Sequence, residues 1–315
     1  MSQSTPIHTS ILERIGGTSL VELRSIVPSD SARILVKIES ENPTGSMKDR
    51  MALAMIEAAE KDGRLSGGGN VVEYTGGSTG VSLALICGVK GYPLHIVTSD
   101  AFSIEKRDHM QALGANLTLV KSVDGGMDEA LTRNMIETAR QIGERTGGFW
   151  TDQLNNADQL SAYRTMGDEI WRQAEGRVDA FVQSVGTAAS VRGVAESLRE
   201  RNPDIHIVAV EPSESAVLSG QESGAHKIEG IGAGFVVPLW EPSVIDEIAT
   251  VSTSEAKEMA RRLARAEALF AGTSTGGNVI AALKVAKRLG PDATVVTLMC
   301  DSGLKYLSTD LYKDS

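Results

Sequence analysis

One stretch of the sequence decides the fold class, because a short apolar strand, a glycine turn and the start of an apolar helix follow one another in it: Val71-Val72-Glu73-Tyr74-Thr75-Gly76-Gly77-Ser78-Thr79-Gly80. Glycines at such a turn let a ligand approach the backbone closely. The backbone N–H groups point outward with the helix dipole behind them, which favours an anion. The stretch therefore predicts a strand–turn–helix unit that can bind an anion at its turn.

Strand–helix alternation extends outward from this unit over nearly the whole chain. The predicted strands are Arg33–Glu39, Asn70–Thr75, Leu94–Thr98, Asn116–Lys121, Asp179–Val185, Ile205–Glu211 and Thr294–Cys300. Segments with helical periodicity lie between them, and several strands are apolar on both faces. This pattern predicts an α/β fold with open, mostly parallel twisted sheets covered by helices.

A domain boundary is predicted near residue 152, where a long helical segment ends. We expect a smaller N-terminal α/β domain over residues 42–152 and a larger C-terminal α/β domain over residues 153–315. Residues 1–41 are expected to pack partly on the larger domain. In this arrangement each domain supplies one glycine-containing turn after a strand.

Composition and charge exclude several classes of function. The formal net charge of −10 argues against a nucleic-acid partner, because phosphate binding needs a basic face. Two cysteines, Cys87 and Cys300, lie in apolar runs and are expected to be buried reduced thiols. The sequence shows no secretory signal pattern and no apolar run of membrane-spanning length. We therefore expect a cytoplasmic protein with no membrane partner.

Lys48 lies in a loop that leads into a helix, Asn42-Pro43-Thr44-Gly45-Ser46-Met47-Lys48-Asp49-Arg50. Ser46 is expected to cap the helix and Asp49 to complete a capping box, which places Lys48 in the first turn. The positive end of the helix dipole opposes the ammonium charge and favours the free amine, the form that attacks an aldehyde. A surface lysine at a helix start is the alternative interpretation.

Two segments also fit the Gly-x-Ser-x-Gly pattern of α/β hydrolases, Gly76–Gly80 and Gly272–Gly276. That fold orders its catalytic groups as serine, acid and then histidine. No histidine follows Ser274, and only His226 is suitably placed after Ser78. A hydrolase is therefore disfavoured, and no pair of histidines has the spacing of metal ligands.

Seven motifs occur in an order that resembles a known family: Ile15–Leu23, Asn42–Arg50, Thr75–Gly80, Asp152–Asn156, Gly186–Ser190, His226–Phe235 and Asp301–Thr309. They are similar to those of the cysteine synthases (O-acetylserine sulfhydrylases) and their relatives. These are the fold-type-II pyridoxal-phosphate enzymes, which include cystathionine β-synthase and share a fold like that of the tryptophan synthase β chain. The resemblance covers nearly the whole chain.

The resemblance implies pyridoxal 5'-phosphate as the cofactor, held by Lys48 as a Schiff base, and Lys48 as the catalytic residue. The other implied cofactor contacts are Ser78, Gly186, Thr187, Ala188, Ala189, Ser190 and Ser274, with Ser274 at the pyridine nitrogen. The implied substrate contacts are Thr75, Gly76, Gly77, Ser78, Thr79, Gln153 and Gly232. No metal is implied, and a homodimer is expected.

The sequence departs from the family pattern in two of these loops. The carboxylate loop usually reads Thr-Ser-Gly-Asn-Thr-Gly, whereas here Gly76 replaces the serine and Ser78 the asparagine. The phosphate loop usually has two glycines where this chain has Ala188 and Ala189, while Thr187 and Ser190 keep the hydroxyls. Phosphate binding is therefore expected to survive.

The implied reaction is β-replacement on an activated serine, with O-acetylserine and sulfide giving cysteine and acetate. Relatives that use phosphoserine present an arginine near the rim of the site, and Gly230–Phe235 contains no basic residue. A neutral ester is therefore expected as the substrate. The alternatives are replacement by another nucleophile, β-elimination to a keto acid, and a cofactor-binding partner or regulator without turnover.

Overall fold

The computed structural model describes residues 7–123, 125 and 128–313. Its strands are β1 (Leu20–Leu23), β2 (Arg33–Ile38), β3 (Val71–Tyr74), β4 (Leu94–Ser99), β5 (Asn116–Val120), β6 (Phe149–Trp150), β7 (Ala180–Ser184), β8 (His206–Pro212), β9 (Glu247–Val251) and β10 (Thr294–Met299). Its α-helices are α1 (Lys48–Asp62), α2 (Ser78–Lys90), α3 (Ile104–Ala112), α4 (Glu129–Thr146), α5 (Gln159–Gln173), α6 (Ala189–Arg199), α7 (Thr253–Ala266) and α8 (Thr273–Leu289).

The strands form two sheets, with the orders β1-β2-β10-β7-β8-β9 and β5-β4-β3-β6. All pairs are parallel except β1 with β2, which is antiparallel. Helices cover the sheets, as parallel strands with crossover connections require. The predicted α/β fold with two mostly parallel sheets is confirmed.

One apolar core extends from the first sheet to the second. It contains Val72 and Val97 of the smaller sheet together with Phe181, Ile207 and Val296 of the larger one. The smaller sheet is built within residues 71–150, and β1 and β2 pair with the larger sheet. The division into domains at residues 152 and 153 stays a prediction.

The sequence did not predict β1, β6 and β9. Each of them is the last strand at one edge of a sheet. β6 has two residues, and β1 and β9 are mostly accessible strands with glutamates at Glu22 and Glu247. Such strands lack the continuous apolar run by which buried parallel strands are recognised.

Within the described ranges, no helix combines the length and apolar character that a membrane crossing requires.

Candidate active site

A cavity lies where β3, β7 and β10 end, at the carboxyl edge at which parallel α/β sheets bind ligands. Residues from both sheets line it. The structure brings together these residues predicted from the sequence: Lys48, Thr75, Gly76, Gly77, Ser78, Thr79, Gln153, Gly186, Thr187, Ser190 and Ser274. The four segments that carry most of them are far apart in the chain, so the cavity is a product of the fold.

Three predicted residues do not line the cavity. Ala188 and Ala189 are buried in the apolar core at the start of α6. Gly232 lies behind the rim, where an added Cβ would stand 2.7 Å from His226 Nε2 and 2.8 Å from a Pro212 carbon. Any contribution of these three to ligand binding would come from their backbone, and it stays a prediction.

Lys48 lies in the first turn of α1, as predicted, but the predicted cap by Ser46 and the capping box are wrong, because Met47 is the residue at the helix cap and no side chain caps the helix. The Ser46 hydroxyl accepts a hydrogen bond from the Lys48 N–H at 3.2 Å. The Asp49 carboxylate does not turn back to the helix start; it accepts bonds from the Thr44 N–H at 2.8 Å and from the Ser82 hydroxyl at 2.5 Å. Asp49 therefore fixes the loop before α1 and joins it to α2.

The side chain of Lys48 is partly accessible because it lines the cavity. Desolvation by the surrounding protein lowers the pKa of its amine, and the charges of Cys300 and Asp301 oppose this shift without cancelling it. A buried amine with a lowered pKa is more often neutral near pH 7 than an exposed lysine. Lys48 is therefore suited to act as a nucleophile and as a proton acceptor.

The turn after β3 is closely packed on two side chains from the segment around α3. A Cβ added at Gly76 would stand 2.8 Å from the Phe102 ring. A Cβ added at Gly77, where φ is +133°, would stand 2.3 Å from Lys106 Cδ. Phe102 therefore occupies the space that the family's serine side chain would need, which gives a physical reason for Gly76 in this chain.

Thr79 and Gln153 meet at this turn. The Thr79 hydroxyl donates to Gln153 Oε1 at 2.9 Å, and Gln153 Nε2 donates to the Tyr74 carbonyl at 2.7 Å. The amide keeps a second N–H for a ligand. Both residues line the cavity beside the backbone N–H groups of the turn. The second Gln153 N–H, which Thr79 helps to position, and these backbone N–H groups form one place suited to a carboxylate.

Sequence reasoning missed Glu73, which orients this glutamine. Its buried carboxylate accepts bonds from the Gln153 N–H at 2.9 Å, from the Thr151 hydroxyl at 2.5 Å and from the Tyr74 N–H at 2.8 Å. Burial raises the pKa of Glu73 to about 8, and the three donors oppose this shift. A glutamate inside the apolar run of β3 was the available signal.

The 186–190 turn joins β7 to α6 and forms a second candidate anion site. An added Cβ at Gly186 would stand 2.5 Å from the Gly230 carbonyl oxygen and 3.9 Å from Lys48 Nζ, so only glycine fits. Ala188 takes φ +68° immediately before α6 begins. Thr187 and Ser190 line the cavity at the start of α6, where a helix has N–H groups without helical partners. The Thr187 hydroxyl donates to Gln159 Oε1 at 2.9 Å and accepts from the Ala189 N–H at 3.4 Å, so Ser190 is the hydroxyl that can donate to an anion.

Ser78 is bonded to a residue that the sequence reasoning gave no role, Asp301. The Ser78 hydroxyl donates to Asp301 Oδ2 at 3.0 Å, and the Tyr306 hydroxyl donates to the same oxygen at 2.8 Å. Asp301 lies two residues after the end of β10 and lines the cavity. Its position in the last family-like motif was the available signal.

Ser274 lies in the first turn of α8 and lines the cavity beside Cys300. Both cysteines are buried free thiols in the structure. Desolvation raises the pKa of the Cys300 thiol, and the Asp301 charge adds to this shift. Asn278 Nδ2 approaches Cys300 Sγ at 3.4 Å, so the side chain that hydrogen-bonds this thiol is a neutral amide.

A cation also lines the cavity, which sequence reasoning missed because it comes from α3 and not from the rim. Lys106 Nζ lies 2.7 Å from Glu229 Oε2, with the side chains 2% and 12% exposed. The same ammonium stands 4.2 Å from the centre of the Tyr306 ring. Glu229 directly precedes the Gly230–Phe235 segment of the rim, which contains no basic residue.

These residues fit the cofactor that the sequence resemblance implies. A phosphorylated pyridine aldehyde needs an amine, an anion site and a hydrogen-bonding group for its ring nitrogen. Lys48 supplies a desolvated amine, the start of α6 supplies N–H groups and the Ser190 hydroxyl, and Ser274 supplies a neutral hydroxyl. Gly186, in the turn that forms the anion site, packs close to the Lys48 amine.

Comparisons with known proteins agree with this fit. The family model described as "Pyridoxal-phosphate dependent enzyme" matches residues 11–301. The chain is 41% identical over 305 residues to a cysteine synthase of Staphylococcus aureus, covering 96% of each chain. A cysteine synthase structure from Entamoeba histolytica superposes with a TM-score of 0.91 at 38% identity, covering 100% of this chain and 94% of that one. An O-acetylserine dependent cystathionine β-synthase from Helicobacter pylori does so with a TM-score of 0.91 at 32% identity, covering 98% and 100%. The chain belongs to the family of pyridoxal-phosphate dependent enzymes.

Proposed function

We propose that the chain catalyses β-replacement on an activated serine, with O-acetylserine and sulfide giving cysteine and acetate. The observation that carries the proposal is one cavity that joins the Lys48 amine to the Thr79–Gln153 pair. Identity of 41% to a cysteine synthase over 96% of both chains supports the choice of reaction. The cofactor, when bound, supplies the electron sink for the negative charge at the substrate Cα.

In this proposal Lys48 holds the cofactor covalently and, once displaced by the amino acid, accepts the Cα proton at Nζ. The lowered pKa of its amine favours the unprotonated Nζ that can take this proton. The β-acyloxy group leaves as acetate, sulfide adds at Cβ as HS⁻, and the Lys48 ammonium returns its proton to Cα. Cysteine and acetate then leave the cavity, and the Lys48 amine is free to hold the cofactor again.

The second N–H of Gln153, which Thr79 positions, and the backbone N–H groups of the 75–79 turn would hold the substrate carboxylate. The Ser190 hydroxyl and the first N–H groups of α6 would hold the cofactor phosphate. Ser274 would donate to the ring nitrogen as a neutral partner, and that nitrogen would have no stabilising negative charge beside it. A weaker electron sink favours prompt loss of a β-substituent over side reactions at Cα.

A second nucleophile is a real alternative, because a structure with a TM-score of 0.91 is an O-acetylserine dependent cystathionine β-synthase. The test is a substrate panel: purified holoenzyme with O-acetyl-L-serine and, in turn, sulfide, homocysteine and no nucleophile. We expect cysteine with sulfide as the fastest product. Faster thioether formation would favour the second nucleophile, and pyruvate in every tube would favour elimination. If no product forms and no amino acid changes the cofactor spectrum, the chain would be a cofactor-binding protein without turnover.

The two anion sites are expected to respond differently to mutation. Thr79→Ala should leave the cofactor bound and raise the amino-acid KM by roughly ten- to hundred-fold. Thr79 positions Gln153, and the charge-assisted hydrogen bond from that amide to the carboxylate contributes about 1.5–3 kcal/mol. Ser190→Ala should weaken cofactor retention during dialysis and leave that KM within about twofold. Cofactor content is read from absorbance and KM from initial rates. Equal effects of both substitutions on both ligands would contradict this division.

We further propose a cytoplasmic homodimer that takes a small amino acid and a small nucleophile. Two buried free thiols suit a reducing compartment. Light scattering coupled to gel filtration is expected to give twice the 33.4 kDa chain mass. A mass of one chain would contradict the homodimer.

A further inference from the structure

The Lys106–Glu229 pair spans the cavity from one ligand loop to the other. The stem of Lys106 lies against Gly77, since a Cβ there would meet Lys106 Cδ at 2.3 Å. Glu229 adjoins Gly230, whose carbonyl oxygen and Lys48 Nζ both lie near Gly186. The pair therefore links the 75–79 turn to the segment that packs against Gly186 near Lys48.

In this arrangement the β-substituent of a bound amino acid lies beside the Lys106–Glu229 pair. A serine ester whose carboxylate sits at the 75–79 turn, and whose Cα faces the Lys48 amine, has its side chain as the remaining group. Both members of the pair line the same cavity as Lys48 and Thr79. The side chain of the substrate thus meets a cation that is already neutralised by a carboxylate.

We propose that Glu229 is a specificity-determining residue that selects a neutral β-substituent by neutralising Lys106; the proposal rests on the proposed function. With Glu229 in place, the charge of Lys106 is already neutralised. An anionic phosphate ester then meets a carboxylate and gains no net attraction from the ammonium. A buried ammonium without its partner is strongly unfavourable unless an anion replaces that partner. Removal of the Glu229 charge would therefore make Lys106 a receptor for a phosphorylated serine.

The competing explanation is that the pair has only a structural role, because it joins α3 to the rim segment. The two roles predict different data. Loss of a purely structural contact lowers kcat/KM by a similar factor with every substrate. Loss of charge selection changes the ratio of kcat/KM between an anionic and a neutral substrate, and the direction of the change depends on which partner is removed.

The experiment compares the parent with Glu229→Gln, Lys106→Met and the double variant. Glutamine keeps the shape of Glu229, and methionine keeps the apolar stem that packs on Gly77. The quantity measured is kcat/KM for O-phospho-L-serine divided by kcat/KM for O-acetyl-L-serine, with sulfide as nucleophile. Relative to the parent we expect this ratio to rise roughly ten- to hundred-fold in Glu229→Gln, the size of one charge-assisted hydrogen bond. It should fall in Lys106→Met, where Glu229 is left uncompensated, and return near the parent value in the double variant.

Glu60→Gln is the matched control, since it breaks a Lys90–Glu60 pair of the same 2.7 Å distance outside the cavity lining. Its ratio should equal that of the parent. Dissociation constants of O-phospho-L-serine and L-serine, measured by calorimetry on the same proteins, should follow the same order. If the parent makes no cysteine from either ester, the proposed function fails while the binding data still decide this inference. An unchanged ratio of binding constants in Glu229→Gln, or equal losses for both ligands, would overturn it.

Discussion

Lys48→Ala is expected to abolish turnover while leaving a folded protein. The substitution removes both the covalent anchor of the cofactor and the group that accepts the Cα proton. Loss of a positioned base alone lowers rates by about 10²–10⁴-fold, and loss of the covalent anchor adds to this. Cysteine formation should therefore fall by at least about 10⁴-fold. The measurement is the initial rate with O-acetylserine and sulfide, with cofactor supplied in excess.

Folding should survive because Lys48 contributes little to stability. Desolvation lowers the pKa of its amine, which means that its charged form is poorly accommodated where it lies. Alanine is also the best helix former for the first turn of α1. The free energy of unfolding is therefore expected not to decrease, and circular dichroism should match that of the parent.

Lys61→Ala is the matched control, because Lys61 is an exposed lysine in the last turn of the same helix. It should retain full activity. Borohydride reduction followed by peptide mass spectrometry should locate the cofactor on the peptide with Lys48 in the control and on no peptide in Lys48→Ala. Attachment to another lysine lining the cavity, such as Lys106, would show that the assignment of Lys48 is wrong.

The sequence predicted the central strands and the edge strand β5 to within about one residue but missed the other three edge strands. β3, β7 and β10 are buried on both faces because helices cover both sides of a parallel sheet. At the edges this constraint disappears, so β9 begins with a glutamate and has a buried side chain only at Val251. The capping box predicted at the start of α1 failed because Asp49 is engaged by Thr44 and Ser82 and not by its own helix.

The candidate site divides in the same way. Glycine turns and the lysine could be found because each is a local signal with a local physical reason. Glu73, Asp301 and Lys106 could not be ranked, because their importance comes from partners more than seventy residues away, such as Gln153, Ser78 and Glu229. The 230–235 segment of the rim contains no basic residue, but α3 supplies Lys106 as a cation to the same cavity.

Arg50→Met is expected to cause the largest loss of stability of any single substitution considered. Arg50 lies two residues after Lys48 and is buried between two glutamates. It donates to Glu39 at 2.7 and 2.9 Å and to Glu169 at 2.7 and 2.9 Å. Lys37 Nζ also lies 2.7 Å from Glu169 Oε2. The network ties the start of α1 to β2 and to α5, and so fixes the helix that carries Lys48.

Removing the cation leaves Glu39 buried without an ionic partner and Glu169 with Lys37 alone. Breaking a buried ion pair by removing one partner lowers stability by about 3–5 kcal/mol. Urea unfolding of the holoenzyme should show this loss in the free energy of unfolding. Arg64→Met is the control, since its guanidinium pairs with Asp62 and Asp158 while 42% exposed, and such pairs contribute only about 0–1 kcal/mol.

The pH dependence of stability gives an independent check on the network. Burial alone would raise the pKa of Glu169, but Arg50, followed by Lys37, outweighs burial and holds it at about 2. A carboxyl with a depressed folded-state pKa stabilises the protein fully above its unfolded value of 4.5, and this contribution is lost as the pH falls toward 2. The parent should therefore lose stability between about pH 4.5 and pH 2, and Arg50→Met should lose less over the same window because its Glu169 pKa lies higher. The network would have no such role if Arg50→Met cost less than about 1 kcal/mol at pH 7 and kept the pH profile of the parent.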